Sequence, residues 1–298
     1  MSARLLAGAA VLVLTLAACG GKAGDPGQGP QAGKIPVVAS TNVWGSVLRA
    51  VGGDAVDVKS VIDDPAADPH GYQSTPTDAI DLRNAKLALY NGAGYDDFFT
   101  QLVRENGQNV PTIVAFDLSG KKPGGNEHVW YDFPTVKRVA DKIAEQLGTV
   151  APDKKDTFAA NAKAFDGRLD ELIAKARSIG QAKPGVLVVV TEPVPVYLLE
   201  TAGVKDVTPE EFSKAIEEET DPPATAVAAT TDLLKNKQVA ALINNEQTET
   251  PVTKQLRSVA AAAGLPVVGV TETLPDGAGD YLDWMAKQVD ALSAAVKR

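Results

Sequence analysis

The sequence predicts an α/β protein of two lobes, each a parallel sheet flanked by helices, joined by one long α-helix. Two patterns predict it. Short apolar runs alternate with helical stretches in both halves of the chain, as parallel strands and their crossovers require. Between the halves, residues 152–179 are rich in Ala, Lys, Asp and Leu and hold few breakers. They carry Phe158, Phe165, Leu169, Leu172 and Ile173 at helical spacing. At 298 residues the chain has room for one large domain or two moderate ones, and 44% apolar with 22% charged residues is an ordinary globular mix.

Taken in order, Val37-Val38-Ala39-Ser40 reads as a buried strand leading into a helix over 43–51, closed by Gly52-Gly53. Residues 56–62 alternate like a second strand. A polar loop, 63–75, precedes a helix that starts at Pro76 with Thr75 as its N-cap. A strand over 87–90 ends at Asn91-Gly92, a helix follows from about 96 to 105, and a strand over 112–115 completes the first alternation. Residues 134–147 form a helix, and the long helix comes next. Past Pro184-Gly185 the pattern resumes: strand 186–190, helix 194–201, strand 239–243, helix 251–263, strand 267–270 and a closing helix 281–296. The division expected is a signal segment at 1–18, a tether at 19–33, an N-terminal lobe at 34–151, a linking helix at 152–180 and a C-terminal lobe at 181–298.

The N-terminal segment reads as an address. Arg4 precedes an apolar run over 5–18 that is too short to span a membrane comfortably and has the layout of a secretory signal. It ends Leu16-Ala17-Ala18-Cys19, which resembles a bacterial lipobox, and Cys19 is the sole cysteine of the chain. Cys19 is therefore expected to carry a lipid, residues 20–33, rich in Gly, Pro and Gln, to be a flexible tether, and the body to lie outside the cytoplasm, anchored to the membrane. A single cysteine excludes an internal disulfide framework and thiolate-rich metal sites. A net charge of −9 repels phosphate backbones, so no nucleic-acid partner is expected.

In open parallel sheets ligands bind beyond the carboxyl ends of strands. Four such loops hold candidate metal ligands: Asp68-Pro69-His70-Gly71-Tyr72, Asn126-Glu127-His128-Val129-Trp130-Tyr131-Asp132, Thr191-Glu192-Pro193 and Thr271-Glu272-Thr273. Two come from each lobe, which would put a cation in the cleft between them. Each has a plainer alternative. Loop histidines are often surface or hydrogen-bonded residues, Glu192 and Glu272 could sit at helix N-termini, Asp68 suits a turn, and Trp130 and Tyr131 suit packing. Asn245, Glu246 and Gln247 follow the strand at 239–243 and could support the cleft.

These residues resemble a known family. Val38-Ala39-Ser40-Thr41-Asn42-Val43-Trp44 with Val51-Gly52-Gly53-Asp54, the stretch from Asp68-Pro69-His70 to Thr77-Asp78, and Asn91-Gly92-Ala93-Gly94-Tyr95-Asp96-Asp97 look like the metal-binding lipoproteins of ABC transporters, the zinc/manganese solute-binding family. The family's second histidine motif normally reads Asn-Pro-His-x-Trp-x-Asp-Pro. Here Glu127 replaces its first proline and Phe133 separates Asp132 from Pro134. The resemblance implies His70, His128, Glu192 and Glu272 as metal ligands, with Asp280 a competitor for the fourth place.

The resemblance also implies a function: capture of a divalent transition metal as cargo and its delivery to an ABC permease, by a monomer that is not an enzyme. Imidazole and carboxylate suit Zn²⁺, Mn²⁺ and Fe²⁺, while Cu⁺ would ask for Cys or Met. A glutamate in place of a third histidine, and the lack of histidine across 118–125, lean toward manganese or iron, although intrinsic affinity follows a series that puts zinc above both. Two other functions can be set against this one. A secreted zinc hydrolase would need an open coordination position, and neither HExxH nor GxSxG occurs. An adhesin or organic-solute receptor on the same scaffold would favour aromatic walls, and only 5% of residues are aromatic. The uninterrupted linking helix implies little lobe motion, with metal release by loop rearrangement around Glu192 or Glu272.

Overall fold

The structure, a computed structural model, describes residues 33–67 and 69–297. The expectations for residues 1–32, Cys19 among them, and for Asp68 fall outside these. No helix of the described residues is long and apolar enough to cross a membrane.

The first lobe alternates strands and helices: β1 (Ile35–Thr41), α1 (Asn42–Gly52), β2 (Val56–Ile62), α2 (Pro76–Asn84), β3 (Leu87–Tyr90), α3 (Asp97–Asn106) and β4 (Thr112–Val114). Two helices follow, α4 (Phe133–Val150) and α5 (Lys155–Ala182). The second lobe contains β5 (Leu187–Val190), α6 (Val196–Ala202), β6 (Lys205–Asp206), α7 (Glu210–Glu217), α8 (Ala224–Lys235), β7 (Leu242–Asn245), α9 (Pro251–Ala262), β8 (Val267–Val270) and α10 (Tyr281–Val296). The strand orders are β2-β1-β3-β4 and β6-β5-β7-β8, with every pairing parallel. Both orders change direction at the first strand of the lobe. Loops leaving the strands on either side of β1, and likewise of β5, diverge and open a crevice at the carboxyl edge of each sheet.

The long helix matches its sequence reading closely. Pro152–Lys154 forms a single 3-10 turn and α5 then runs 28 residues, about 42 Å at 1.5 Å per residue. Its buried side chains, Phe158, Ala162, Phe165, Leu169, Leu172, Ala176 and Ile179, recur every three or four residues and form one stripe. That stripe belongs to an apolar core that includes Leu87 and Ile113 of the first sheet, Val188 and Ile243 of the second, and Trp284 and Met285 of α10. The lobes therefore share one core. The close approach of α5 to the end of α6 needs a residue without a side chain, because a Cβ on Gly180 would lie 2.5 Å from the Ala202 carbonyl oxygen.

Three readings shift. The strand expected at 239–243 is β7, Leu242–Asn245, so two asparagines end a central strand. They pair with Gly269 and Val270 of β8, and this pairing between flanking strands outweighs the poor strand propensity of Asn. The helix expected at 194–201 begins at Val196, after Pro193 and Pro195. Residues 202–238 received no assignment from the sequence, and they hold β6, α7 and α8.

Leu169 is fully buried in the shared core. Leu169→Ala is expected to lower the unfolding free energy by about 2–5 kcal/mol. Ile80→Ala, at a half-exposed site, should change it by less than about 0.5 kcal/mol, both measured by urea titration.

Candidate metal centre

The four residues implied as ligands stand at the carboxyl ends of strands from both sheets. His70 lies in the loop after β2, His128 in the loop after β4, Glu192 two residues past β5 and Glu272 two residues past β8. Glu272 is the hub. Its Oε2 is 3.8 Å from His70 Nε2 and 4.0 Å from His128 Nε2. Its Oε1 accepts a hydrogen bond of 2.8 Å from Asn245 Nδ2, which also donates to Glu192 Oε2 at 2.9 Å. One amide thus ties together two carboxylates that are both buried.

Each group has a local reason for its position. At the far end of the His70 loop, the Asp78 carboxylate accepts hydrogen bonds from Thr75 N at 2.6 Å and Tyr72 OH at 3.1 Å, and Thr75 caps α2 in return. The His70 ring stands edge-on to Tyr95, with centroids 5.2 Å apart, and keeps about a third of its side-chain surface exposed. Tyr95 follows a turn whose Gly92 has φ +81°, and a Cβ there would meet Val114 Cγ1 at 2.5 Å. The buried Asp96 carboxylate closes this turn by accepting from Asn91 N at 2.7 Å and Gly92 N at 2.8 Å. Asn91 Nδ2 then donates to the Glu127 carbonyl oxygen, so the turn also supports the His128 loop.

His128 is almost wholly buried. Its Nδ1 lies 3.0 Å from Asn126 Oδ1, while Asn126 Nδ2 donates to the Pro193 carbonyl oxygen at 2.7 Å. Because the amide nitrogen is committed to Pro193, the oxygen faces the ring and accepts the Nδ1 proton. The Nε2 lone pair is left pointing into the cleft. Burial, reinforced by His70, pushes the His128 imidazole down to about 3, so it is neutral at physiological pH. No proton has to be removed from this nitrogen for it to act as a donor to a cation.

The geometry bears on several sequence-level alternatives. Asp280 caps α10, accepting from Asp283 N at 2.8 Å, and lies 3.7 Å from Arg168, so its carboxylate is engaged at a helix terminus. Glu272 stands nine residues before the start of α10 and is no helix-terminal carboxylate. Trp130 and Tyr131 are buried packing residues, and Tyr131 OH also donates to the Thr271 carbonyl oxygen beside Glu272. Asn245 and Gln247 do support the cleft. Gln247 Oε1 accepts from Glu272 N, and its Nε2 donates to Thr273 Oγ1 and to the Pro65 carbonyl oxygen of the opposite lobe, both at 2.8 Å.

One residue at the centre had no sequence reading. Glu217, the last residue of α7, places Oε1 3.7 Å from His128 Nε2. It also hydrogen-bonds the carboxyl of Glu127, the residue that departs from the family motif. Burial first, then the negative charges of Glu127, Glu192 and Glu272, push the Glu217 carboxyl up to about 9. Its signal was periodic: Ser213 and Glu217 are four apart on one helix face, next to buried Phe212 and Ile216. It stands in the run Glu217-Glu218-Glu219, a composition ordinary for a solvated helix end.

A family model described as ZnuA, zinc-uptake complex component A, periplasmic, matches residues 37–295. The chain belongs to this family. Similar curated relatives are the iron ABC transporter substrate-binding lipoprotein MtsA of Streptococcus pyogenes serotype M1, 29% identical over 188 residues, and the manganese ABC transporter substrate-binding lipoprotein PsaA of Streptococcus mitis, 30% identical over 177. These alignments take in 58% and 54% of this chain, which spans 59% and 55% of the relatives' length. The fold is that of the periplasmic zinc-binding protein TroA from Treponema pallidum, with TM-score 0.73 and 20% identity, covering 89% of this chain and all of that one.

The turn behind Tyr95 yields a pH prediction. Burial raises the Asp96 carboxyl from 3.8 to about 6, against the opposing pull of its hydrogen bonds. The folded state then binds more protons than the unfolded state between these values, so this group's contribution to stability is full below 3.8 and is lost as pH rises through about 6. Unfolding free energies of metal-free wild type and Asp96→Asn across that range should show a steeper fall in wild type. Equal slopes would contradict the assignment.

Proposed function

We propose that this chain is an extracytoplasmic receptor that holds a divalent transition metal between its lobes and delivers it to an ABC permease for import. The observation that carries the reading is the convergence of His70 and His128 from one lobe on Glu192 and Glu272 from the other, around a single amide. Two imidazoles and two carboxylates balance a +2 ion in a cleft mostly closed to water. Family membership supports the transport role, and the names of the MtsA and PsaA relatives support iron and manganese as cargo classes. Zn²⁺ remains within the donor set's chemistry. Lipid attachment at Cys19, a monomeric state and the absence of catalysis complete the reading. Four protein ligands leave little space for the activated water that a hydrolase requires.

The test is thermal unfolding of chelator-stripped protein with added Mn²⁺, Fe²⁺ or Zn²⁺. At a thousandfold excess over Kd, binding stabilises the native state by about 4 kcal/mol. That should raise Tm by roughly 8–16 °C, at about 2–4 °C per kcal/mol for a chain of this size. His128→Ala and Glu272→Ala should each abolish most of the shift. No shift with any of the three metals, or wild-type shifts in both variants, would remove this reading.

A further inference from the structure

A cavity of ≈ 620 Å³ opens on the metal centre, and His70, Asn126, Glu127, Pro193 and Glu217 are among the residues that line it. Its mouth is formed on the second-lobe side by α7, where Glu210, Glu218 and Glu219 outnumber Lys214. Such a rim concentrates cations without binding any one of them. Glu217 differs from these neighbours in being drawn inward. Its side chain keeps only 16% of its surface exposed, and its Oε1 is buried, receives no hydrogen bond and faces His128 Nε2 at 3.7 Å.

Two carboxyl groups approach His128 Nε2, Glu272 Oε2 at 4.0 Å and Glu217 Oε1, on the cavity lining, at 3.7 Å. Ligand atoms of Glu127, His128 and Glu217 all fall within 4.8 Å of one another, close enough for one ion to touch all three. A carboxyl oxygen held dry beside an imidazole lone pair, with nothing donating to it, leaves buried polar atoms unsatisfied that a cation would complete.

We infer that Glu217 is a metal-contacting carboxylate, carried on α7 and supported by Glu127, that adds an oxygen ligand from the cavity side and closes the centre over its cargo. The inference rests on the metal-receptor reading and deepens it. A third carboxylate raises the oxygen count and the coordination number above four. This favours Mn²⁺ and Fe²⁺, which accept six oxygen or nitrogen ligands, over Zn²⁺, which is content with four. It also gives a reason for the departure at 127, where a proline would leave the Glu217 carboxyl without its neighbour.

The experiment uses the full chain, stripped and reloaded, in three forms: wild type, Glu217→Gln and Glu218→Gln. Glutamine keeps the shape and hydrogen-bonding reach of Glu217 while removing the charge. Glu218→Gln removes the same charge from the same rim without the contact. Mn²⁺ affinity by competition titration should fall 10-fold or more in Glu217→Gln and less than 3-fold in Glu218→Gln. Zn²⁺ affinity should fall less than Mn²⁺ affinity in Glu217→Gln. X-ray absorption of the Mn²⁺-loaded proteins should count one oxygen fewer in Glu217→Gln, which a merely structural role would not produce. Should Glu217→Gln fail to fold, Glu127→Gln is read in its place, with the same metal ranking expected. Wild-type Mn²⁺ affinity and an unchanged oxygen count in Glu217→Gln would overturn the inference while leaving the four-ligand centre standing. Failure of wild type to bind any metal would instead remove the underlying reading.

Discussion

The structure is organised around two carboxylates that share one amide. Asn245 donates to Glu192 and to Glu272, so two groups of like charge are held together where water is scarce. Like charges in a low-dielectric pocket repel strongly. The proposed divalent ion would offset this repulsion, with His70 and His128 supplied from across the cleft. The end of β7 had to be asparagine-bearing strand for this to happen, because only the carboxyl edge of a strand between β5 and β8 lies between both carboxylates.

The same constraint accounts for how the lobes are joined. A centre built half from each lobe, as proposed, would need the halves in fixed register, and the bonds that fix it surround the cleft. Asn42 exchanges two hydrogen bonds with the Leu274 backbone, Ser46 accepts from Tyr281 N, and the Tyr281 hydroxyl donates to the Trp130 carbonyl oxygen. Gln247 and Thr273 both donate to the Pro65 carbonyl oxygen. With the common core along α5, opening the cleft as a hinge would break these bonds together. Access for an ion is more economical through the cavity under α7. The loop at Glu272, which the sequence suggested as a moving part, is held by Gln247 at its N–H and by Tyr95 OH at its carbonyl, 3.4 Å away.

Much of this was legible in the sequence, and the reasons are specific. Continuous apolar runs such as Leu187-Val188-Val189-Val190 mark strands covered on both faces, and the α5 stripe announces itself over about six turns of helix. The ligand loops could be located because strand ends are where parallel sheets bind, and the motif around His70 named one of them. Residues 202–238 were illegible. Their strand has two residues, α7 has eight, and prolines and acidic residues suggest solvent more than structure. Asn244 and Asn245 were hard for a related reason, since their strand conformation comes from neighbouring strands rather than from their own preference. Glu217 combined both difficulties, lying on the unread segment and owing its burial wholly to tertiary packing.

The most direct test of the whole arrangement is anomalous diffraction from crystals of the chain loaded with Mn²⁺. The account predicts one strong peak bounded by His70 Nε2, His128 Nε2 and the carboxylates of Glu192 and Glu272, with Asn245 in place behind them. A fully occupied peak elsewhere, or loaded crystals with no peak between the lobes, would contradict it.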